Sequence, residues 1–205
     1  MKFKDFIWDF DGTLMDTYFQ STAAFVEVMA RHGVEVNPDE VMDALRDSFA
    51  FAKEHFGLSD EIFDEFMQRV HITTAPPHPV LYDGIKEVLK KVCERGGKNF
   101  IYSNRNESCF YYLEESGIKE LFSDFVLNGH EAWEVKPSGK SVEFLTNKFS
   151  LDKSKTAMVG DREIDVLSGK MAGCGAILFE ERKREVKSCA DHIVYDIAEI
   201  ENYIE

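Results

Sequence analysis

The sequence predicts an α/β protein built on a doubly wound parallel sheet, with a small all-helical unit inserted into it. Three observations carry that expectation. Short β-forming runs alternate with helix-length amphipathic segments over most of the chain. One stretch, 17–74, breaks the alternation and shows helical periodicity only. Residues able to do chemistry sit at or just beyond the ends of the predicted strands, where open α/β sheets bind their ligands.

Taken in order, residues 4–10 read KDFIWDF, a buried strand that runs into a tight Asp-Gly turn. Further strands are predicted at 99–103 (NFIYS), 124–127 (DFVL), 156–159 (TAMV), 176–179 (AILF) and 192–195 (HIVY). Most are separated by helical stripes. Ile85, Val88, Leu89, Val92 and Cys93 form one that stops at Gly96-Gly97, and Phe110 and Leu113 lead to Gly117. Val142, Leu145 and Phe149 follow Ser138 as N-cap, and Ile164, Leu167 and Met171 end at Gly173.

The inserted stretch holds three predicted helices. The first carries Phe19, Phe25, Val26 and Met29 and ends at Gly33. A second opens on Asn37-Pro38-Asp39-Glu40, with capping-box spacing and proline at the first helical position. Its face of Val41, Leu45, Phe49, Ala52 and Phe56 predicts one continuous helix to Gly57. The third follows Ser59 with Ile62, Phe63, Phe66, Met67 and Val70, and the segment 75–84, APPHPVLYDG, reads as a stiff connector. The expected division is therefore a core of residues 1–16 and 84–205, and a helical insert with its linkers over 17–83.

With 205 residues the chain can bury a sizeable core unaided, since a chain of this size hides roughly 70% of its unfolded surface. Four cysteines without close spacing argue against a zinc knuckle or a redox pair, and favour a reduced, cytoplasmic setting. No apolar run suits a signal peptide or a membrane span. A net charge of -14 would repel nucleic acid and anionic membranes. Neither is an expected partner, and monomer and homodimer both stay open. For so acidic a protein to hold an anionic ligand, a divalent cation and a few placed lysines or arginines are needed.

Four clusters carry the chemistry. Asp9-Phe10-Asp11-Gly12-Thr13 puts two carboxylates two residues apart at a strand end, suited to a nucleophile and a general acid/base, with Gly12 allowing a sharp turn. Ser103-Asn104-Arg105 offers a hydroxyl and backbone amides for phosphate oxygens, although serine and asparagine are also ordinary turn formers. Lys136-Pro137 could place an ammonium beside a transferring phosphoryl group, or be a solvated surface charge. Asp161 and Asp165, in GDREID, could share a magnesium site, or be an acidic helix start favoured by the macrodipole.

In this order, DxDGT, then Ser, then Lys-Pro, then GDxxxD resembles the haloacid dehalogenase-like hydrolase superfamily over nearly the whole chain. The insert resembles the helical cap of its phosphoglycolate phosphatase and β-phosphoglucomutase branch. The resemblance implies a HAD-like Rossmannoid core and a Mg2+-dependent phosphatase that acts on a small phosphorylated metabolite through an aspartyl-phosphate. It implies Asp9 as nucleophile, Asp11 as acid/base, Thr13 as support for the turn and for Asp11, and Ser103 with Asn104 as phosphoryl binders. Lys136 would stabilise the phosphorylated aspartate. Asp161 would ligate magnesium with Asp9 and the backbone carbonyl of Asp11, with Asp165 completing or orienting the site. The cap would close over the site and contact the leaving group.

Rival readings remain. In the family comparison Asp11 argues against a dehalogenase, whereas a sugar-phosphate mutase keeps all four clusters. A phospho-accepting receiver module lacks an inserted cap, and a non-catalytic binding protein is weighed against by the intact acidic and basic residues. The histidines form no metal pattern, and His78 and His130 read as surface loop residues. Within the insert, Arg46 and Lys53 stand seven residues apart beside the apolar face of the second helix. They are expected either to bind a second anionic group of the substrate or to pair with Asp43, Asp47 or Glu54.

Overall fold

A computed structural model of the chain describes residues 1–72 and 76–205. These divide into two compact units, one of Met1–Leu14 with Leu81–Glu205, the other of Met15–Val80. In chain order, β1 (Asp5–Trp8) is followed by β2 (Met15–Asp16), α1 (Tyr18–Arg31), α2 (Pro38–Asp47), α3 (Phe49–His55), α4 (Asp60–Val70) and β3 (Val80–Leu81). Then come α5 (Ile85–Glu94), β4 (Asn99–Tyr102), α6 (Cys109–Glu115), β5 (Phe122–Val126) and α7 (Lys140–Lys148). The series ends with β6 (Thr156–Gly160), α8 (Glu163–Met171), β7 (Gly175–Phe179) and β8 (His192–Val194).

In the first unit six strands form one sheet in the order β5-β4-β1-β6-β7-β8. Every neighbouring pair is parallel. Parallel strands covered on both faces read as continuous apolar runs, and β1, β4, β6 and β7 are buried throughout. Their side chains still sort by the two-residue period of a strand. Ile7, Phe100, Tyr102, Val126 and Met158 share one face with Val142 and Leu145 of α7. Phe6 and Trp8 point the other way, stacked at 5.7 Å.

Buried Asn99 holds that second face together. It accepts a hydrogen bond from Trp8 Nε1 at 3.0 Å and donates to the Leu89 carbonyl of α5 at 3.0 Å. A polar side chain inside a strand is thus satisfied by a neighbouring strand's side chain and by a carbonyl in the middle of α5.

After β1 the chain builds toward β4 and β5, and after β6 it builds the opposite way, toward β7 and β8. The loops leaving β1 and β6 therefore diverge and open a crevice at the carboxyl edge of the sheet, the position at which doubly wound folds bind ligands.

The six predicted strands are all present, with ends displaced by one or two residues. Three residues of the predicted stripes are exposed: Met171 at 64%, Phe19 at 59%, and Cys93 in the last turn of α5. For Met171 the reason is close packing. α8 buries Ser168 and Gly169, and a Cβ on Gly169 would come within 2.6 Å of Met158 Cβ. The small face of α8 lies on the sheet, so Met171 turns outward. For Phe19, α1 faces its core with Ala24, Phe25, Val28 and Met29 instead.

The second unit has four helices among its described residues rather than the three expected. The predicted 38–56 helix is broken at Ser48, whose extended backbone (φ -174, ψ 159) both ends α2 and caps α3. Its hydroxyl accepts from Phe51 N at 2.9 Å, the local bonding by which serine competes with helix continuation. The core of this unit gathers Phe25, Val28, Val41, Leu45, Ala52 and Phe66. Of the expected connector, Ala75 lies outside the described residues, as does Thr74; Val80 and Leu81 form β3, paired with β2. Among the described residues no helix is long and apolar enough to cross a membrane.

Candidate active site

β1 ends where its backbone still holds the sheet, with Asp9 N donating to Val159 O at 2.8 Å. The chain then turns: Leu14 N donates to Phe10 O at 3.1 Å, and Gly12 takes φ +76, a left-handed conformation that favours glycine. The result is a tight loop with Asp9 buried and Asp11 partly exposed. Thr13 is fully buried, and its hydroxyl has no hydrogen-bond partner.

Lys136 comes from a loop that the sheet ties down. Tyr102, the last residue of β4, donates its hydroxyl hydrogen to Glu134 O at 2.6 Å. Ser141 receives Glu134 N and donates to Ala132 O. With its loop fixed, the Lys136 ammonium lies 4.9 Å from the centre of the Tyr102 ring. It pairs with Asp9 Oδ1 and with Asp165 Oδ1 at 2.7 Å.

Asp165 is brought there by Gly160 and α8. Arg162 N donates to Asp165 Oδ2 at 3.0 Å, fixing the carboxylate at the helix start. A Cβ on Gly160 would fall 2.2 Å from Asp165 Cβ, so only glycine lets the end of β6 approach this closely. Asp9, Asp161 and Asp165 each offer an oxygen within 4.8 Å of the others.

The electrostatics follow from burial. The Asp9 carboxyl is pushed up to about 8, first by desolvation, then by Asp165 and Asp161, against the pull of Lys136. Burial alone would lower the Lys136 ammonium, yet Asp165 and Asp9 hold it above its ordinary value. Lys136 thus pairs with two of the three carboxylates, Arg162 adds a weaker positive influence on Asp9, and Asp9 Oδ2 is buried with no hydrogen bond. A hard divalent cation suits this oxygen-only donor set and its excess negative charge.

The loop after β4 supplies the remaining groups. Ser103 is buried, and its hydroxyl accepts from Arg105 N at 3.2 Å. Trp133 Nε1 donates to Ser103 O at 3.1 Å, joining this loop to the Lys136 loop. Asn104 Oδ1 is buried without a partner. Arg105 was not among the site residues expected from sequence, yet its guanidinium grips Asp11. Nη2 and Nε reach Oδ1 at 2.7 and 3.0 Å, and Nε reaches Oδ2 at 3.2 Å. The only signal was a basic residue two places after the serine, in a loop at a strand end.

Asp9, Thr13, Ser103, Asn104, Lys136, Asp161 and Asp165 all lie in loops or helix starts following β1, β4, β5 and β6. The Asp11 carboxylate is not in the three-carboxylate cluster; it is held by Arg105. The two expected residues of the second unit are engaged within it. Lys53 pairs with Asp60 at 2.5 Å and lies 5.0 Å over the Phe63 ring. Arg46 lies 5.3 Å from the Tyr18 ring centre. The break at Ser48 places them on different helices, so their shared helical face does not form. His130 packs on Phe144 at 5.4 Å and His78 is exposed.

The family described as haloacid dehalogenase-like hydrolase matches residues 6–179. A phosphoglycolate phosphatase of Vibrio vulnificus is 30% identical over 190 residues, covering 82% of this chain and 80% of its own length. Pyrophosphatase PpaX of Halalkalibacterium halodurans is 27% identical over 182 residues, covering 84% and 81%. The crystal structure of a hydrolase from Streptococcus pneumoniae TIGR4 superposes with a TM-score of 0.68 at 34% identity, covering 87% of this chain and 94% of that one.

Proposed function

The chain belongs to the haloacid dehalogenase-like hydrolases, and from that premise we propose that it is a magnesium-dependent phosphatase of small phosphate monoesters that works through a phosphorylated Asp9. The observation that carries the reading is the state of Asp9. It is a buried carboxylate with one oxygen paired to Lys136 and the other without a hydrogen bond, inside a three-carboxylate cluster. The relatives named phosphoglycolate phosphatase and pyrophosphatase support the reaction class.

In this reading a carboxylate oxygen of Asp9 attacks phosphorus in line. The bond from phosphorus to the ester oxygen breaks, and Asp11, entering this half in its protonated form, gives that oxygen a proton as the alcohol departs and is left as the carboxylate that Arg105 holds. Asp11 then takes a proton from water, whose oxygen attacks the phosphorus. The acyl phosphate bond breaks, its electron pair returns to Asp9, and inorganic phosphate leaves. Lys136 holds Asp9 in place and offsets charge on the phosphoryl group, while Ser103, Asn104 and the loop amides bind its oxygens. Asp9, Asp161 and Asp165, with the Asp11 carbonyl, would hold the ion. Bound magnesium would add positive charge that draws an anionic ester into an acidic site.

The helical insert, residues 17–83, is proposed to select the substrate. Four free cysteines suit a reducing, cytoplasmic setting. The test is phosphate release from purified protein, with and without magnesium, against a panel that includes phosphoglycolate, sugar phosphates, an aryl phosphate and pyrophosphate. No turnover of any member, with metal present, would overturn the reading. Dependence on an added sugar bisphosphate would move the assignment to a mutase.

A further inference from the structure

The grip of Arg105 on Asp11 joins two loops that the reaction needs in register. Arg105 is almost wholly buried, its side chain 3% exposed against 30% for Asp11. An arginine in so dry a place requires an anionic partner, and Asp11 supplies it through three contacts between 2.7 and 3.2 Å. The planar fork fixes the plane of the carboxylate, which a lysine, a flexible point charge, would not.

The backbone of the same residue is held on both sides. Its N–H donates to Ser103 Oγ, and its carbonyl accepts from Asn128 N at 3.1 Å. The guanidinium also lies 5.5 Å from the ring centre of Phe10, the residue between the two aspartates. The root of the Arg105 side chain is therefore fixed beside Ser103, and Asp11 cannot turn without taking its carboxylate from a buried cation.

We infer that Arg105 is a positioning residue for the second half of the reaction: it orients the Asp11 carboxylate toward the water that hydrolyses the aspartyl-phosphate. The inference rests on the phosphatase reading above. The two halves make different demands on Asp11. Departure of an acidic phenol needs little help from a proton donor, whereas water must lose a proton to attack the acyl phosphate. A misaligned Asp11 then slows dephosphorylation more than phosphorylation when the substrate is an aryl phosphate.

The experiment uses the full chain, magnesium and an aryl phosphate, comparing the parent with Arg105→Met and Arg105→Lys. Rapid mixing measures the burst of phenol, and acid quench measures protein-bound phosphate. In Arg105→Met, kcat should fall about a hundredfold, within the range of general-base contributions, while kcat/KM falls by less than about threefold. The value of kcat/KM reports only steps through phenol release, so the split isolates dephosphorylation. Phosphoprotein should accumulate toward one per chain. Arg105→Lys keeps the charge without the fork, and should show the same pattern with a loss of about tenfold.

A merely structural role would lower kcat and kcat/KM together, with no accumulated phosphoprotein. That result in both variants overturns the inference, and Arg105→Lys decides alone if Arg105→Met does not fold. Asp9→Asn keeps the two failures apart. If the parent turns over substrate and Asp9→Asn makes neither phosphoprotein nor phenol, the phosphatase reading stands whatever the Arg105 variants do. If the parent itself is inactive, the reading fails and the inference falls with it.

Discussion

Lys136 and Asp165 meet at 2.7 Å with both side chains fully buried, and the same ammonium pairs with Asp9. The lysine therefore holds the fold together as well as having its proposed part in phosphate binding. Its removal leaves two buried carboxylates facing each other without the cation that pairs with both. Lys136→Ala should destabilise the protein by about 3 kcal/mol, the scale for breaking a buried pair, as read from denaturant midpoints in chelator. Magnesium should restore part of this loss by supplying charge to the same carboxylates. A midpoint equal to that of the parent in chelator would show that the pair contributes nothing to stability.

Asp9→Asn should abolish turnover of an aryl phosphate, lowering it at least about a thousandfold, because an amide is neither a nucleophile nor an anionic ligand. Retention of a tenth of the parent rate would remove Asp9 from the chemistry.

Asp161→Asn should raise the magnesium concentration needed for half-maximal activity by about tenfold or more, with little change in substrate KM at saturating metal. An unchanged metal titration would make the Asp161 loop a helix start only.

Gly160→Ala tests the approach of Asp165 to the end of β6. The added Cβ would lie 2.2 Å from Asp165 Cβ, so either the strand end or the helix start must move. Overpacking of this kind costs about 2 kcal/mol, and metal affinity should fall with it. Parent-like thermal stability together with parent-like magnesium affinity would show that the contact is soft.

The parallel sheet was legible because each strand is a short apolar run between turn residues, and 99–102 and 176–179 each end within one residue of the expected place. The candidate site was legible for a related reason: Asp9 and Asp161 each directly follow a strand, whereas Lys136 lies ten residues beyond β5 and stood out only as the Lys-Pro of the ordered motif set. Arg105 was missed because a buried ion pair between residues 94 positions apart leaves no local pattern. The break at Ser48 was missed because the apolar spacing from Val41 to Phe56 runs through it unchanged; only the hydroxyl bond to Phe51 N marks the end of one helix and the start of another. Met171 was misplaced because periodicity counts apolar residues, whereas α8 buries its small ones.

The order of strands in the sheet also sets a timetable for synthesis. Residues 15–80 form a continuous segment with an apolar core of their own, so that core can close early on the ribosome. β1 is made before both of the strands that flank it, and cannot be enclosed until much later. Its register partner for Asp5 is Thr156, and at ordinary translation rates the intervening stretch of about 150 residues takes roughly 8–30 s to appear. For that interval Phe6, Ile7 and Trp8 belong to a strand that can pair with β4 but still lacks β6 on its other side.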